Sequence, residues 1–383
     1  MGDGLLTLCL CGDVMLGRGI DQILPYPGDP ALREPDVHDA RTYVELAEQV
    51  NGAIPRPVDF AWPWGDALEV LADLEPDAWI LNLETSITSH DGFAPSKRIH
   101  YRMSPANVPC LLAARPDAAV LANNHVLDFG RRGLRDTLDA LSPSSGARLS
   151  APGAGRDRAQ ARRPATIAVG DRARVLIFAF GMPSSGVPGA WAATDERAGV
   201  DFVGKPTDAA AVEISERVRR VKRAGDLVVV SIHWGSNWGY DVSQDEVAFA
   251  HRLIDGGVDL IYGHSSHHPR PIEVYRDRVI LYGCGDFIND YEGIGGREAY
   301  RDDLRLLYQA SIEVDSGRLV DLRMVPMQAR QMRLHHAART DREWLREALD
   351  RCSRDYGSRV DIDRDGTLVL RRGRSETASR ALC

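Results

Sequence analysis

The chain has 383 residues, 44% of them hydrophobic and 27% charged, with a formal net charge of −8. This is ordinary globular composition, and the length suits one large domain or two smaller ones. The acidic residues are spread along the chain and no basic stripe accompanies them, which argues against a nucleic-acid partner. The apolar run at the N-terminus stops at Asp13 and is too short for a secretion signal or a membrane span. We therefore expect a soluble, cytoplasmic protein with no membrane partner.

Short apolar runs alternate with helix-length segments along most of the chain. The predicted strands are 5–11, 78–84, 118–123, 174–180, 227–233, 259–264 and 279–286. The predicted helices are 64–74, 105–114, 131–142, 207–224 and 243–256, the last of which opens with a capping-box pattern. Two further strand-like runs lie within 306–326, and 359–371 is typical of a hairpin. This alternation predicts an α/β fold with largely buried strands.

No internal repeat or long low-complexity linker interrupts these elements. We therefore expect a single domain over residues 1–373, followed by a short C-terminal tail, 374–383. The proline-rich segment 22–60 is predicted to be an insertion that forms part of a lid. The six cysteines form no CxxC pair, which favours structural thiols in a reducing compartment. Only three of the 47 basic residues are lysine, Lys97, Lys205 and Lys222, which we interpret as codon bias.

Polar side chains follow six of the predicted strands at the point where each strand ends. They are Asp13, Glu84, the run Asn123-Asn124-His125, His233, His264 and Asp286. Because ligands of open α/β folds bind at the carboxyl ends of strands, we expect these side chains to share one site. Carboxylate, amide and imidazole groups without a cysteine suit a divalent cation such as Mn, Zn, Ca or Fe. No nucleophile elbow or phosphate-binding loop offers a competing chemistry.

Six short motifs occur in one order between residues 5 and 330. They are GDVMLGR (12–18), NLET (82–85), LANNHVLDFG (121–130), HWG (233–235), GHSSHHP (263–269) and YGCGDF (282–287). In this order they resemble the CapA family, which is named for poly-γ-glutamate capsule proteins and belongs to the calcineurin-like metallophosphoesterase superfamily. The resemblance implies two mixed β-sheets packed as a sandwich and flanked by helices, with a metal site at one end.

The same resemblance implies roles for single residues. It implies a proton donor at His125 and metal ligands at Asp13, Glu84, Asn124, His233, His264 and His267. The chain departs from the superfamily pattern because Asp13 is followed by Val14 and Met15, where the first motif would place a histidine. The first metal position is thereby weakened. We therefore expect one divalent ion per chain, not the close pair used in phosphoryl transfer.

Two histidine–carboxylate pairs are candidate acid–base groups, His125 with Asp128 and His268 with Asp286. A carboxylate fixes the tautomer of its histidine and raises its basicity, which favours proton transfer near neutral pH. Two alternatives stay open. Asp128 would instead cap the helix that begins near residue 131, and Asp286 would instead bind backbone in its own turn.

Aromatic and basic residues give candidate substrate contacts. Trp234 and Trp238 flank His233 and are predicted to line a cleft suited to a peptide. Arg18 and Arg102 are candidates to hold a substrate carboxylate through two parallel hydrogen bonds. The alternative for both arginines is an ion pair at the surface.

Three functions remain open at this point. The favoured one is epimerisation at the Cα of a residue in a ribosomally made, lasso-type precursor peptide, because a CapA-like protein is the lasso-peptide epimerase. The second is metal-dependent hydrolysis of a phosphoester or an amide. The third is a non-catalytic component of capsule or poly-γ-glutamate biosynthesis. The sequence does not predict the oligomeric state.

Overall fold

The computed structural model describes residues 4–95, 97–142, 145–146, 149–170 and 173–372. The predicted tail 374–383 lies outside the described residues. The strands are β1 (Leu5–Val14), β2 (Ala78–Leu83), β3 (Ser86–Ile87), β4 (Arg102–Met103), β5 (Ala118–Val120), β6 (Ala154–Gly155), β7 (Ala165–Val169), β8 (Ala173–Gly181), β9 (Gly199–Val200), β10 (Asp226–His233), β11 (Leu260–His264), β12 (Ile272–Tyr275), β13 (Arg278–Leu281), β14 (Asp286–Ile288), β15 (Leu304–Glu313), β16 (Leu319–Arg330), β17 (Arg333–His336), β18 (Ser358–Ile362) and β19 (Leu368–Arg372). The helices are α1 (Gly19–Ile23), α2 (Arg41–Asn51), α3 (Ala67–Leu74), α4 (Val108–Ala113), α5 (Gly130–Ala140), α6 (Arg158–Ala161), α7 (Asp208–Val221), α8 (Gln244–Asp255) and α9 (Arg339–Ser353).

Two mixed sheets form the centre of the fold. The first has the strand order β18-β19-β16-β15-β1-β2-β5, with β14 beside β1 and β17 beside β16. The second has the order β12-β13-β11-β10-β8-β7. In each sheet the strands that lead to the polar residues run parallel, β1 with β2 and β5 in the first and β10 with β11 in the second. Their carboxyl ends therefore meet at common edges.

The alternation of side chains along these strands explains the layering. Leu8 and Leu10 of β1 share one buried cluster with Ile177 of β8 and Val229 of β10, so the two sheets pack face to face. The opposite face of the first sheet packs against α1 to α5, and that of the second packs against α7 and α8. The expected sandwich of two mixed sheets flanked by helices is confirmed.

The predicted elements agree with the structure except at one strand. The capping box of α8 is present, since Ser243 Oγ accepts from the N–H of Glu246 and the Glu246 carboxylate accepts from the N–H of Ser243. The predicted strand 279–286 is wrong as a single element. Its first part is β13 of the second sheet and its last residue begins β14 of the first. The chain therefore crosses between the sheets at 282–285.

This crossover depends on a close approach of two backbones. A Cβ at Gly12 would lie 1.7 Å from the carbonyl oxygen of Gly285, so residue 12 must be glycine. The approach lets Asp13 pair with Asp286 between the parallel strands β1 and β14. The glycine thus brings two carboxylates from distant parts of the chain together.

The predicted insertion 22–60 is packed onto the body of the protein. Its helix α2 buries Tyr43, Val44 and Ala47 in the cluster beneath the first sheet, and Ile54 and Val58 join them. Its role as a lid stays a prediction. Among the described residues, no helix combines the length and the apolar character that a bilayer crossing requires.

Candidate metal centre

The strand-end residues of both sheets meet in one buried cluster. Asp13, Glu84 and Asn124 come from the ends of β1, β2 and β5 in the first sheet, and His233 and His264 end β10 and β11 in the second. All are buried except Asn124, which is partly exposed. The cluster therefore lies at the seam between the two sheets and opens on the side of Asn124.

Asp13 is held by two donors. Asn82 Nδ2 lies 2.7 Å from Asp13 Oδ1, and the N–H of Ser265 lies 3.2 Å from Oδ2. Asn82 occupies the position beside Asp13 in the pairing of β1 with β2. Burial, followed by the charge of Asp286, raises the pKa of Asp13 to about 7. The carboxylate is fixed in place but poorly neutralised.

The two strand-end histidines of the second sheet form a pair with Asn124. His233 Nδ1 lies 2.7 Å from His264 Nδ1, and Asn124 Oδ1 lies 3.0 Å from His233 Nε2. Ser231 Oγ contacts the far nitrogen of His264 at 2.6 Å. Burial lowers the pKa of His264 to about 3 and that of His233 well below its ordinary value. Both imidazoles are therefore neutral near pH 7, which is the form that binds metals.

A second donor group adjoins the first. His267 Nδ1 lies 3.0 Å from Asp286 Oδ1, and Asn289 Nδ2 donates to Asp286 Oδ2 at 2.6 Å. Burial lowers the pKa of His267, but Asp286 outweighs this effect and the net shift is upward. Donor atoms of Asp13, His233 and His264 lie within 4.8 Å of one another, and so do those of Asp13, His267 and Asp286. Asp13 is common to both groups.

Glu84 lies between the histidines of the cluster. Its Oε1 is 3.8 Å from His125 Nε2 and 3.9 Å from His233 Nε2. Burial, and then the charge of Asp13, raises the pKa of Glu84 well above its ordinary value. Several buried carboxylates close together are costly unless a cation compensates them. The oxygen and imidazole donors present here fit a divalent metal ion.

His125 and Asp128 form the predicted histidine–carboxylate contact. His125 Nδ1 lies 2.6 Å from Asp128 Oδ2, which also accepts the N–H of Tyr101 at 2.7 Å. Asp128 does not cap a helix, because α5 has Phe129 at its N-cap and no side-chain cap. Burial, opposed by Asp128, lowers the pKa of His125 to about 4. The imidazole is therefore neutral near pH 7, and its Nε2 faces Glu84.

The predicted pairing of His268 with Asp286 is wrong. His268 Nδ1 lies 3.0 Å from the carbonyl oxygen of Pro269, and its Nε2 accepts the N–H of Gly239 at 3.1 Å. The chain bends at 267–268, so that the two neighbouring rings take different directions. Asp286 pairs with His267 instead, and its carboxylate also accepts from Asn289.

The two arginines predicted to bind a substrate carboxylate are occupied within the protein. Arg18 is 3% exposed and donates to Asp290 at 2.5 and 2.8 Å and to Glu34 at 3.0 Å. Arg102 is buried and donates to the backbone oxygens of His90 and Asp29. Both predictions are corrected by this burial, and so is the alternative of a surface ion pair for Arg18. These arginines fasten segment 22–60 and its neighbours to the fold.

The two tryptophans near His233 lie in different environments. Trp234 is 1% exposed, donates from its indole to the backbone oxygen of Tyr282 and belongs to the core between the second sheet and its helices. Its predicted place in a substrate cleft is therefore wrong. Trp238 is partly exposed, and its ring centroid lies 5.3 Å from that of His267 and 5.3 Å from that of Tyr300. Of these two tryptophans, Trp238 is the one that adjoins the cluster.

Two polar residues of the site were missed from the sequence. Asn82 connects Asp13 to Glu84, although it stands within the NLET motif. Lys97 contacts Asp128 and His125. The low lysine content carried a signal, because a lysine that persists in an arginine-rich chain is a candidate for a specific contact that arginine cannot make.

The family profile and the two curated relatives described here agree on one family. The profile described as "Bacterial capsule synthesis protein PGA_cap" matches residues 7–291. A "Probable polyglutamine synthesis accessory protein" of Mycobacterium tuberculosis is 52% identical over 367 residues, which cover 96% of each chain. The "Capsule biosynthesis protein CapA" of Bacillus anthracis is 27% identical over 286 residues, 74% of this chain and 60% of that protein. A phosphatase structure from Mycoplasma pneumoniae has a TM-score of 0.44 at 11% identity and covers 85% of this chain and 94% of its own.

Proposed function

The chain belongs to the bacterial capsule synthesis protein family (PGA_cap), and from this premise we propose that it is a metal-dependent hydrolase that serves the synthesis of a glutamate or glutamine polymer. The bond it cleaves is a phosphoester or an amide. One observation carries the proposal: two groups of metal-binding donors share Asp13, and the His125–Asp128 pair lies beside them. Adjacent sites of this kind are common to phosphatases and aminopeptidases.

Each of the two donor groups would hold one metal ion. Asp13, His233 and His264 would hold one ion with Asn124 and Glu84 close by, and Asp13, His267 and Asp286 would hold a second. Divalent ions in such a cluster supply polarisation of the scissile group and lower the barrier to attack by water. This proposal replaces the single ion expected from the missing motif histidine. Asp286 supplies a donor that the motif comparison did not assign.

His125 is the residue positioned to move a proton. Its Nδ1–H is donated to Asp128 at 2.6 Å, which leaves the Nε2 lone pair directed toward Glu84 and the cluster. A neutral imidazole in this tautomer accepts a proton from the attacking water at Nε2 and returns it to the leaving group. Asp128 fixes the ring orientation, because its carboxylate is itself held by the N–H of Tyr101.

The hydrolase is favoured over the epimerase by the position of His268. Epimerisation at a Cα requires two proton-transferring groups on opposite faces of the carbon. His125 meets Asp128, but His268 Nε2 accepts a backbone N–H, and no carboxylate of the described residues forms a hydrogen bond with His268. The predicted second pair, His268 with Asp286, is not formed, and the histidine that does meet Asp286, His267, belongs to a donor group assigned here to a metal ion.

The test is a hydrolysis assay with the full chain. The protein is stripped with chelator, reloaded separately with Mn²⁺ and Zn²⁺, and assayed with p-nitrophenyl phosphate, bis(p-nitrophenyl) phosphate and γ-glutamyl p-nitroanilide. We expect metal-dependent turnover of at least one substrate and a fall of about 10²-fold or more in kcat for His125→Asn. The matched control is His251→Asn, because His251 on α8 pairs with Glu273 of β12 at 2.9 Å and takes no part in the cluster.

Two results would overturn the proposal. Absence of turnover by metal-loaded protein across the panel would favour a non-catalytic role in polymer synthesis. Deuterium incorporation at the Cα of a peptide incubated in D₂O, without cleavage, would restore the epimerase.

A further inference from the structure

Lys97 reaches the candidate metal centre from the segment between β3 and β4. Its Nζ lies 2.5 Å from Asp128 Oδ1 and 3.1 Å from His125 Nδ1, and it also contacts the backbone carbonyl of Asn124. The ammonium lies 5.3 Å from the centroid of the Trp191 ring. The side chain is 15% exposed, so these contacts are shielded from solvent.

The donors and acceptors around Asp128 leave one arrangement of hydrogens. Asp128 Oδ2 accepts from the N–H of Tyr101 and from His125 Nδ1, and Oδ1 accepts from Lys97. An ammonium has no lone pair to accept a hydrogen. The short approach of Lys97 Nζ to His125 Nδ1 is therefore not a hydrogen bond when Nδ1 carries its hydrogen. Lys97 and His125 both donate to the same carboxylate.

We propose that Lys97 is a positioning residue of the site, one that clamps the Asp128 carboxylate and the Asn124 carbonyl in a single arrangement. The clamp joins Asn124 and His125, whose side chains face the same cluster. Asn124 is held at its backbone carbonyl and presents its Oδ1 to the cluster. His125 is held by way of Asp128 and presents its Nε2. Loss of the ammonium frees Oδ1 of Asp128 and lets the carboxylate rotate, and the imidazole then loses its fixed orientation. The effect on turnover rests on the proposed hydrolase function, whereas the effect on the His125–Asp128 hydrogen bond does not.

The chain offers a matched control for this clamp. Lys222 donates to Asp259 Oδ2 at 2.6 Å and to the carbonyl of Gly257 at 2.9 Å, which repeats the carboxylate and carbonyl contacts of Lys97. Asp259 precedes β11 at its amino end, whereas the cluster lies at the carboxyl end of that strand at His264. A change at Lys222 therefore tests a comparable lysine contact at the opposite end of the sheet.

The experiment compares Lys97→Met, Lys97→Arg and Lys222→Met with wild type in the full chain. The first readout is the downfield proton NMR resonance of His125 Nδ1–H in metal-free protein, assigned by its loss in His125→Asn. We expect Lys97→Met to shift or abolish it and Lys222→Met to leave it unchanged. The second readout is steady-state hydrolysis, where we expect Lys97→Met to lower kcat about 10- to 100-fold with little change in KM. Lys97→Arg keeps the charge and should recover part of the loss, and it supplies the same comparison if Lys97→Met does not fold.

The other outcomes also decide whether Lys97 positions His125. An unchanged resonance together with a kcat within about twofold of wild type in the Lys97 variants overturns the inference. Equal losses in the Lys97 and Lys222 variants also overturn it, because they indicate a general effect on folding. A changed resonance in Lys97→Met, with no hydrolysis by any protein including wild type, supports the clamp and rejects the proposed function alone.

Discussion

His267 Nδ1 lies 3.0 Å from Asp286 Oδ1, whereas the ring of the adjacent His268 forms hydrogen bonds with backbone groups of Pro269 and Gly239. The aspartate arrives on β14 next to Asp13 and completes a donor group where the first motif lacks its histidine. Of these two neighbouring imidazoles, His267 therefore faces the cluster and His268 does not.

Metal content should follow this separation. We expect His267→Ala or Asp286→Ala to lose about one of two divalent ions per chain, because each removes a donor from the group that also contains Asp13. His268→Ala should retain both ions. Mass spectrometry of metals in purified, dialysed protein measures the stoichiometry. An equal loss of metal in His268→Ala would contradict the assignment.

Metal affinity should fall as the pH is lowered. Burial and the charge of Asp286 raise the pKa of Asp13 to about 7, and burial raises that of Glu84 as well. Below about pH 7 the Asp13 carboxyl holds a proton that a metal must displace, so binding weakens from about pH 8 to pH 6 and releases protons. Isothermal titration in two buffers of different ionisation enthalpy measures the release. Affinity that does not depend on pH in this range would be evidence against the cluster as the binding site.

The same raised pKa values predict that the metal-free protein loses stability as the pH rises. A carboxyl whose folded pKa is raised favours the folded state when protonated, so its contribution is present below the unfolded value of about 3.9 and is lost as the pH rises to about 7. Saturating metal should reverse this trend, since binding to the folded state adds stability. Thermal unfolding with and without metal compares the two conditions.

Arg18 should matter for stability more than for substrate binding. Arg18→Met leaves Asp290 and Glu34 as unpaired buried carboxylates, for which we expect a loss of about 3–5 kcal/mol in the free energy of unfolding. The control is Arg41→Ala, whose ion pair with Asp39 is largely exposed, and its free energy of unfolding should change little. Denaturant unfolding measures both. A stable Arg18→Met protein with a raised KM would reinstate Arg18 as a substrate contact.

The two tryptophans should respond differently to truncation. Trp234→Ala empties a fully buried site in the core and should cost about 3–5 kcal/mol of unfolding free energy. Trp238→Ala should cost much less stability but raise KM, because Trp238 is partly exposed beside His267 and Tyr300. Unfolding curves and steady-state kinetics on the substrate of the first assay separate the two effects. The opposite order of stabilities would show that Trp238 is the core residue.

Strand-end residues could be predicted because parallel strands constrain them. Once β10 and β11 are known to be parallel neighbours, His233 and His264 must lie side by side, and the structure pairs them in that register. The same reasoning brings Asp13 to the end of β2, where a shift in register between Leu10 and Asp13 makes Asn82 its partner. Such inferences require only the alternation and the direction of strands, which the pattern of apolar residues carries.

Residues outside the strands could not be placed in this way. Asp286 meets His267 and not His268 because of the direction in which the chain bends there. Hydrogen bonds of the two rings with Asn237 and Gly239 accompany that bend. Arg18 is buried because Asp290 and Glu34, from distant parts of the sequence, converge on it. Lys97 lies between β3 and β4, outside the described helices and strands. These contacts follow from tertiary packing, and the local periodicity of the sequence does not indicate them.

The approach of Gly12 to Gly285 also orders events during synthesis on the ribosome. Asp13 leaves the ribosome early, but its partner Asp286 follows only after most of the chain has been made, and β15 must then pair with β1 to close the first sheet. A nascent chain can therefore offer only a partial set of donors to passing ions. The complete set of donors proposed to hold metal exists only after both sheets have been assembled.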